Sequence, residues 1–251
     1  MMRTPSTSEL LNVWERGLTQ TSLERALALL TSASPDVPLP ALAAMSVGRR
    51  DACLLTLRET LFGPELNCLA DCPICNERLE VNFGVNDIRT PDVIDADQEP
   101  EPNQTLTLAE AGYELSFRIP NSLDLAAVGD GADVTAARNQ LFERCLLKAS
   151  HKGKDKTASQ LPDRIVEKVA KRMADADPQA NVELDLTCPA CGHRWPAAFD
   201  VVSYLWSELH AWALRILRET HLLASAYGWR EAEILAMSPL RRQFYLEMVS
   251  R

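Results

Sequence analysis

Nowhere in the 251 residues do ~18 uncharged apolar side chains run together, and the opening Met1-Met2-Arg3-Thr4-Pro5-Ser6-Thr7-Ser8 has no apolar core. Neither a membrane span nor a signal peptide is expected, and the expected location is the cytoplasm. Basic charge is also in deficit: 26 Lys and Arg against 35 Asp and Glu give a formal net charge of −9 and a pI near 5.0. Polyanion binders gain affinity through clustered cations, so this balance disfavours nucleic acid as a partner. The chain has no Walker loop, no GxGxxG after a strand, no GxSxG and no HExxH. His210 and His221 share a helical pattern, but at 1.5 Å per residue they stand about 16 Å apart and cannot share a metal. With no catalytic set in view, the expectation is a non-enzymatic protein without a small-molecule substrate.

What is present suits a globular fold. The chain is 46% apolar and 24% charged, and it is long enough to bury a real core. Helical periodicity runs through Ser8–Leu11 and again from Ser22, a candidate N-cap, to Leu30. A proline-punctuated link, Pro35–Pro40, leads to a helix capped by Ser46 and ended by Gly63-Pro64. From Leu79 the apolar residues alternate as Leu79, Val81, Phe83 and Val85, the period of a strand. The acidic stretch 90–104 has too little apolar content to pack and reads as a mobile loop. Strands are expected at Thr105–Leu108 and Tyr113–Ile119 around an Ala109–Gly112 turn, then helices at Leu123–Val128, Val134–Lys148 and Asp163–Ala174. The basic run His151–Lys156 reads as a solvated loop. A long helix is expected from Val202 to Ala226, with Leu205, Leu209, Trp212, Ile216 and Leu223 in one stripe that Trp206, Ala213, Leu217 and Ala224 widen. Glu208, Arg215 and Glu219 are spaced for ion pairs along its surface. Gly228 breaks it, and two short helices follow, the second opened by Ser238-Pro239.

The most informative feature is a pair of near-identical cassettes, Cys72-Pro73-Ile74-Cys75 and Cys188-Pro189-Ala190-Cys191, 116 positions apart. At that offset Leu66, Cys68 and Ala70 match Val182, Leu184 and Leu186, while Leu79, Val81, Phe83 and Val85 match Trp195, Ala197, Phe199 and Val201. Each cassette is strand, CPxC turn, strand. A CxxC turn presents two thiolates to one side of an ion, and two such turns complete the tetrahedron zinc prefers. Cys72, Cys75, Cys188 and Cys191 are therefore the expected ligands of one structural Zn2+ per chain. Cys53, Cys68 and Cys145 sit in apolar surroundings and read as core thiols, and His193 is superfluous once four cysteines fill the shell.

The fold class expected is α+β and mainly helical, with the two hairpins forming one C4 zinc ribbon that clamps N- and C-terminal helical parts. The expected division is a helical region 1–63, a first ribbon half 64–89, the acidic loop 90–104, a strand hairpin with helices 105–180, a second ribbon half 181–201 and a helical region 202–251. Four of the five tryptophans, Trp195, Trp206, Trp212 and Trp229, lie in the last quarter. Trp229, Arg241, Arg242, Phe244 and Tyr245 are the candidates for partner binding, since aromatics and arginine anchor interfaces.

Leu10–Gly17, Ser46–Asp51, the two CPxC turns, Phe199–Val201, Leu205–Leu209 and Ala226–Trp229 together resemble a family of baseplate proteins related to a phage T4 baseplate-hub assembly protein, found in phage tails and bacterial contractile injection systems. The resemblance implies a non-enzymatic role in building, or residing in, such a particle, with baseplate or hub subunits as partners. Two rival readings have narrower support. A zinc-ribbon regulator of nucleic acid or transcription machinery would lean on Lys152, Lys154, Lys156 and Arg49-Arg50. A thiol redox protein would use Cys72 and Cys75, but redox CPxC motifs open a helix, whereas strand patterns follow both motifs here.

Overall fold

The computed structural model describes residues 2–90, 105–129 and 133–249. The stretch read as an acidic loop, 90–104, lies outside the described residues apart from Thr90. Four helices come first: α1 (Thr7–Gly17), α2 (Ser22–Ala33), α3 (Leu39–Ala44) and α4 (Val47–Phe62). Ser6 and Glu9 form a capping box at the start of α1, and Thr21 with Glu24 forms another at α2, so the cap falls one residue before the Ser22 expected. Ser46 caps α4 by accepting from the Arg49 N–H, and Gly63 ends it. The proline link is partly helical, because Pro40 sits in the first turn of α3, where its missing N–H costs nothing.

A hairpin follows, β1 (Glu65–Asp71) with β2 (Arg78–Gly84), and a single turn, α5 (Val85–Ile88). Next come β3 (Thr105–Glu110), β4 (Tyr113–Arg118), α6 (Ser122–Val128), α7 (Val134–Cys145), β5 (Leu146–His151), β6 (Lys154–Asp155) and α8 (Asp163–Ala176). β3 to β6 make one antiparallel sheet in chain order. The helix expected to reach Lys148 stops at Cys145, because Leu146, Lys148 and Ala149 pair with Phe117, Ser116 and Leu115 of β4. Pairing across the sheet outweighs the local helical pattern. The basic run expected to be a loop is a tight hairpin between β5 and β6 that turns at Lys152 and Gly153, which carries Lys152 and Lys154 exposed at its tip. The second CPxC hairpin, β7 (Glu183–Thr187) with β8 (Arg194–Ala198), runs into α9 (Val201–Tyr227). Gly228 ends that helix in a left-handed conformation, and α10 (Glu231–Leu235) and α11 (Pro239–Val249) close the described chain. No helix among the described residues is long and apolar enough to cross a membrane.

Two apolar cores organise these elements. The larger joins α1, α2 and α4 to α9 through Leu11, Leu29, Leu30, Leu54, Leu57, Leu205 and Leu209, with Leu66 entering from β1 and Val85 from α5. The two ends of the chain thus share one core. The smaller unites Leu115 and Phe117 with Phe142, Ala149, Ile165 and Val169. Of the α9 stripe, Leu205, Leu209, Ile216 and Leu223 are buried, while Trp212 is half-buried. Trp206 lies against Gly17, where an added Cβ would stand 2.2 Å from its ring, and the Arg25 guanidinium covers the ring at 4.5 Å.

Buried charges tie the elements together. Arg58, 2% exposed, donates to both carboxylate oxygens of Glu208 at 2.7 and 2.8 Å and to the Gly63 carbonyl at 2.6 Å. Glu208 therefore serves the α4–α9 contact rather than the helix-surface set expected of it; Arg215 and Glu219 do approach at 3.7 Å. Asp177 accepts from the Gly48 N–H at 2.9 Å and the Ser46 hydroxyl at 3.1 Å, fastening the end of α8 to the start of α4. Asp124, fully buried, joins α6 to β4 and α7 through Arg118 at 2.5 Å and Arg144 at 3.0 Å. Burial pushes the Asp124 carboxyl up, but Arg118, the Asn121 N–H and Arg144 prevail and hold it below its usual value.

Gly17→Ala forces a methyl into the Trp206 ring and should cost about 1–3 kcal/mol, read as a lower urea midpoint. Asp124→Ala should cost about 3–5 kcal/mol by leaving two arginines without their buried partner. Because folding lowers the Asp124 pKa, its contribution is present above the unfolded value and is lost as pH falls through the folded one. Stability of the wild type should therefore decline through the acid range more steeply than that of Asp124→Asn, measured by urea unfolding at successive pH values.

Candidate metal centre

The two hairpins bring together the four cysteines singled out by sequence. The Sγ atoms of Cys72, Cys75, Cys188 and Cys191 all lie within 4.8 Å of one another. Cys72 stands 3.7 Å from Cys191, and Cys75 stands 3.5 Å from Cys188. For Zn–S bonds of about 2.3 Å, sulfurs at the corners of a tetrahedron are about 3.8 Å apart. The donor set and its spacing fit a closed four-thiolate site.

Each turn is built in the same way. The Cys72 N–H donates to the Glu77 carbonyl and the Asn76 N–H to the Cys72 carbonyl, both at 2.9 Å. At the 116-residue offset, the Cys188 N–H donates to His193 at 2.8 Å and the Gly192 N–H to Cys188 at 2.9 Å. Asn76 and Gly192 occupy the same left-handed position, φ 58 and 73, which asparagine and glycine tolerate. Cys72 and Cys188 are buried, whereas Cys75 and Cys191 are exposed. The hairpins are thus related by an approximate two-fold axis through the sulfur cluster, and the equivalent rings Phe83 and Phe199 meet edge-on at 5.5 Å.

Backbone donors tune the thiols. Burial opposes ionisation of Cys72, but the Cys75 and Ile74 N–H groups and the nearby Cys75 and Cys191 sulfurs bring it down to about 7. At Cys75 the Glu77 N–H favours the thiolate, yet the adjacent Cys188 and Cys191 sulfurs push it up to about 12. At Cys191 the His193 N–H likewise favours the thiolate, and burial with the Cys188 and Cys72 sulfurs raises it on balance. The remaining cysteines stand apart from this cluster. Burial raises the thiols of Cys53 and Cys68, and that of Cys145 to about 11. His193 contributes its backbone and stacks on Trp195 at 5.8 Å. Trp14 donates its indole N–H to His210 at 3.0 Å.

The duplication runs further than the cysteine pattern revealed. α5 is the counterpart of the first turn of α9: Gly84 corresponds to Asp200, Val85 to Val201 and Ile88 to Tyr204. The Tyr204 hydroxyl accepts from the Asn67 N–H at 3.0 Å and donates to the Asn67 carbonyl at 3.2 Å, sealing the outer edge of β1. Sequence inspection missed Tyr204; comparing the cassettes three residues further would have paired it with Ile88.

The other candidate residues are distributed around the C-terminal helices. Trp229, Tyr227 and Tyr245 form one aromatic group, with Tyr245 edge-on to Trp229 at 4.8 Å. Arg241 is exposed, and Phe244 is 55% exposed. Arg242 is buried and bonded to Glu219 at 3.3 Å and the Met237 carbonyl at 3.0 Å, so its guanidinium is engaged within the molecule. Arg50, offered for a nucleic-acid reading, is buried against Asp51 at 2.7 Å. Both CPxC turns lead into strands, as the sequence pattern indicated.

The family model described as T4 bacteriophage base plate protein matches residues 19–205, most of the chain, including both hairpins and the start of α9. No curated protein and no solved structure matches the chain.

Tyr204→Phe removes one oxygen that serves two backbone groups, and should lower stability by about 1 kcal/mol. Hydrogen exchange should locate the effect, with the Asn67 amide exchanging faster and amides of the second hairpin unchanged.

Proposed function

The chain belongs to the T4 bacteriophage base plate protein family, and on that premise we propose a non-enzymatic structural or assembly subunit of a contractile, phage tail-like particle, held in shape by one zinc ion. The observation that carries this reading is the family match over most of the chain. The sulfur cluster supports the zinc, because four thiolates at this spacing satisfy the ion without an open position for water or substrate. Bound there, zinc would supply a structural cross-link between turns more than a hundred residues apart. In this reading 64–89 and 181–201 are two halves of one ribbon, which clamps the helical regions 1–63 and 202–251. Partners would be baseplate or hub subunits, met in the cytoplasm and retained in the particle. The aromatic group around Trp229 and Tyr245, with Phe244 and Arg241 beside it, would offer them an anchor of the kind that dominates protein interfaces.

Native mass spectrometry should find one zinc per chain, and Cys188→Ser should lose both the metal and the cooperative unfolding transition. A metal-free protein with reversible Cys72–Cys75 oxidation would overturn the zinc assignment. For the particle role, deleting the gene in a host that assembles the particle should leave tubes or sheaths without complete baseplates under the electron microscope. Normal particles, together with no baseplate subunit retained by the purified protein, would refute it.

A further inference from the structure

The approximate two-fold axis of the hairpins is broken at one place that bears on binding. On one side the outer edge of β1 is sealed by Tyr204, whose hydroxyl serves both backbone groups of Asn67. On the other side the counterpart of Tyr204 is Ile88, and the counterpart of Asn67 is Glu183. Isoleucine has no hydroxyl to offer. The Val182 carbonyl accepts from the Phe199 N–H, and the Cys188 N–H donates to the His193 carbonyl, so the even residues of β7 turn their backbone groups toward β8. Glu183 and Asp185 must turn theirs outward. Both residues border a cleft of about 390 Å³ that Val81, Phe83, Ile88, Leu184 and Leu186 also line. The hairpin's other edge is blunted by Pro196, which has no N–H.

We propose that this cleft takes an extended segment of another protein, which adds as a strand to the outer edge of β7. Strand addition supplies affinity through the main chain and specificity through alternate side chains. Here the inward set would be apolar, to meet Val81, Phe83, Ile88 and Leu184. The outward set would be Lys or Arg, because Glu183 and Asp185 are exposed on that face and Asp87 lines the cleft. Opposite charges paired across strands are stabilising, and like charges are not. That rule disfavours a second copy pairing β7 to β7, which would set these carboxylates against each other. It equally disfavours the chain's own 91–104, which holds Asp92, Asp95, Asp97, Glu99 and Glu101 and no Lys or Arg. The inference deepens the reading above by giving the chemistry of the segment a partner subunit would present, and rests on that reading for the partner's origin alone.

The test uses the full-length protein and a labelled heptapeptide alternating valine and lysine, with two controls: valine alternating with glutamate, and the lysine peptide with a central proline. The expected result is that only the unbroken lysine peptide raises fluorescence anisotropy and slows amide exchange at Glu183 and Asp185. Ile88→Tyr, which restores the plug found on the other side, should weaken binding at least about tenfold, and Asp185→Lys, on the exposed face, should do the same. Metal content and unfolding midpoint show that both variants fold. Binding that survives Ile88→Tyr, tolerates the proline, or leaves those two amides unprotected overturns the proposal, as does their protection in the free protein that disappears on dilution, the mark of a second copy. Baseplate subunits still retained by Ile88→Tyr would sink the cleft alone and leave the baseplate role standing.

Discussion

The meeting of four sulfurs between two hairpins bears on the whole molecule because of what each hairpin is attached to. The first leaves the end of α4 and the second runs directly into α9, and these two helices form the centre of the larger core. Bringing the CPxC turns together therefore fixes the far ends of both connections, while Arg58 and Glu208 fix the near ends where the helices meet. Closing so long a loop costs conformational entropy that grows only slowly with its length, and the zinc proposed above would offset it. The buried bidentate pair adds direction more than net stability, since desolvation consumes much of its attraction.

The repeat explains the architecture and also where the two halves part. Both copies make the same turn, the same backbone hydrogen bonds and the same pattern of buried and exposed cysteine. They diverge at the helix that follows. In the first copy it stops after one turn at Ile88; in the second it continues to Tyr227 and organises the main core. With the continuation comes a tyrosine that seals one sheet edge, whereas the equivalent edge stands beside Ile88 and borders a cleft lined in part by apolar side chains. On the proposed reading, the repeat yields one internal edge and one that would receive a partner's strand. Both edges would suit a baseplate subunit, which must hold its own shape while meeting its neighbours.

The smaller core is joined to the larger by polar fastening. Asp177 reaches the N-terminus of α4, where its carboxylate meets the positive end of the helix dipole as well as two donors. Gly48 is needed there, because a Cβ would stand 2.2 Å from the Asp177 carboxylate. Burial raises the Asp177 pKa, and the Gly48 N–H and Ser46 hydroxyl pull against that rise. The Ser46–Asp51 stretch that drew attention in the sequence is therefore a junction between cores.

Local chemistry made much of this legible from sequence. Capping at Ser46, termination at Gly63 and Gly228, the alternation of Leu79, Val81 and Phe83, and the doubled CPxC turn each depend on residues near one another in the chain. The four cysteines could be grouped because identical spacing at two places implies identical geometry, and zinc needs two such pairs. What failed locally, the end of α7 at Cys145, failed because a partner strand outside the segment settled its conformation. Tertiary structure alone decided that Arg58 meets Glu208, that Arg242 is spent inside the molecule, and that Tyr204 seals one edge while Ile88 stands beside its counterpart. Such pairings depend on which surfaces come to face each other after the hairpins close, and that information belongs to the assembled chain rather than to any segment of it.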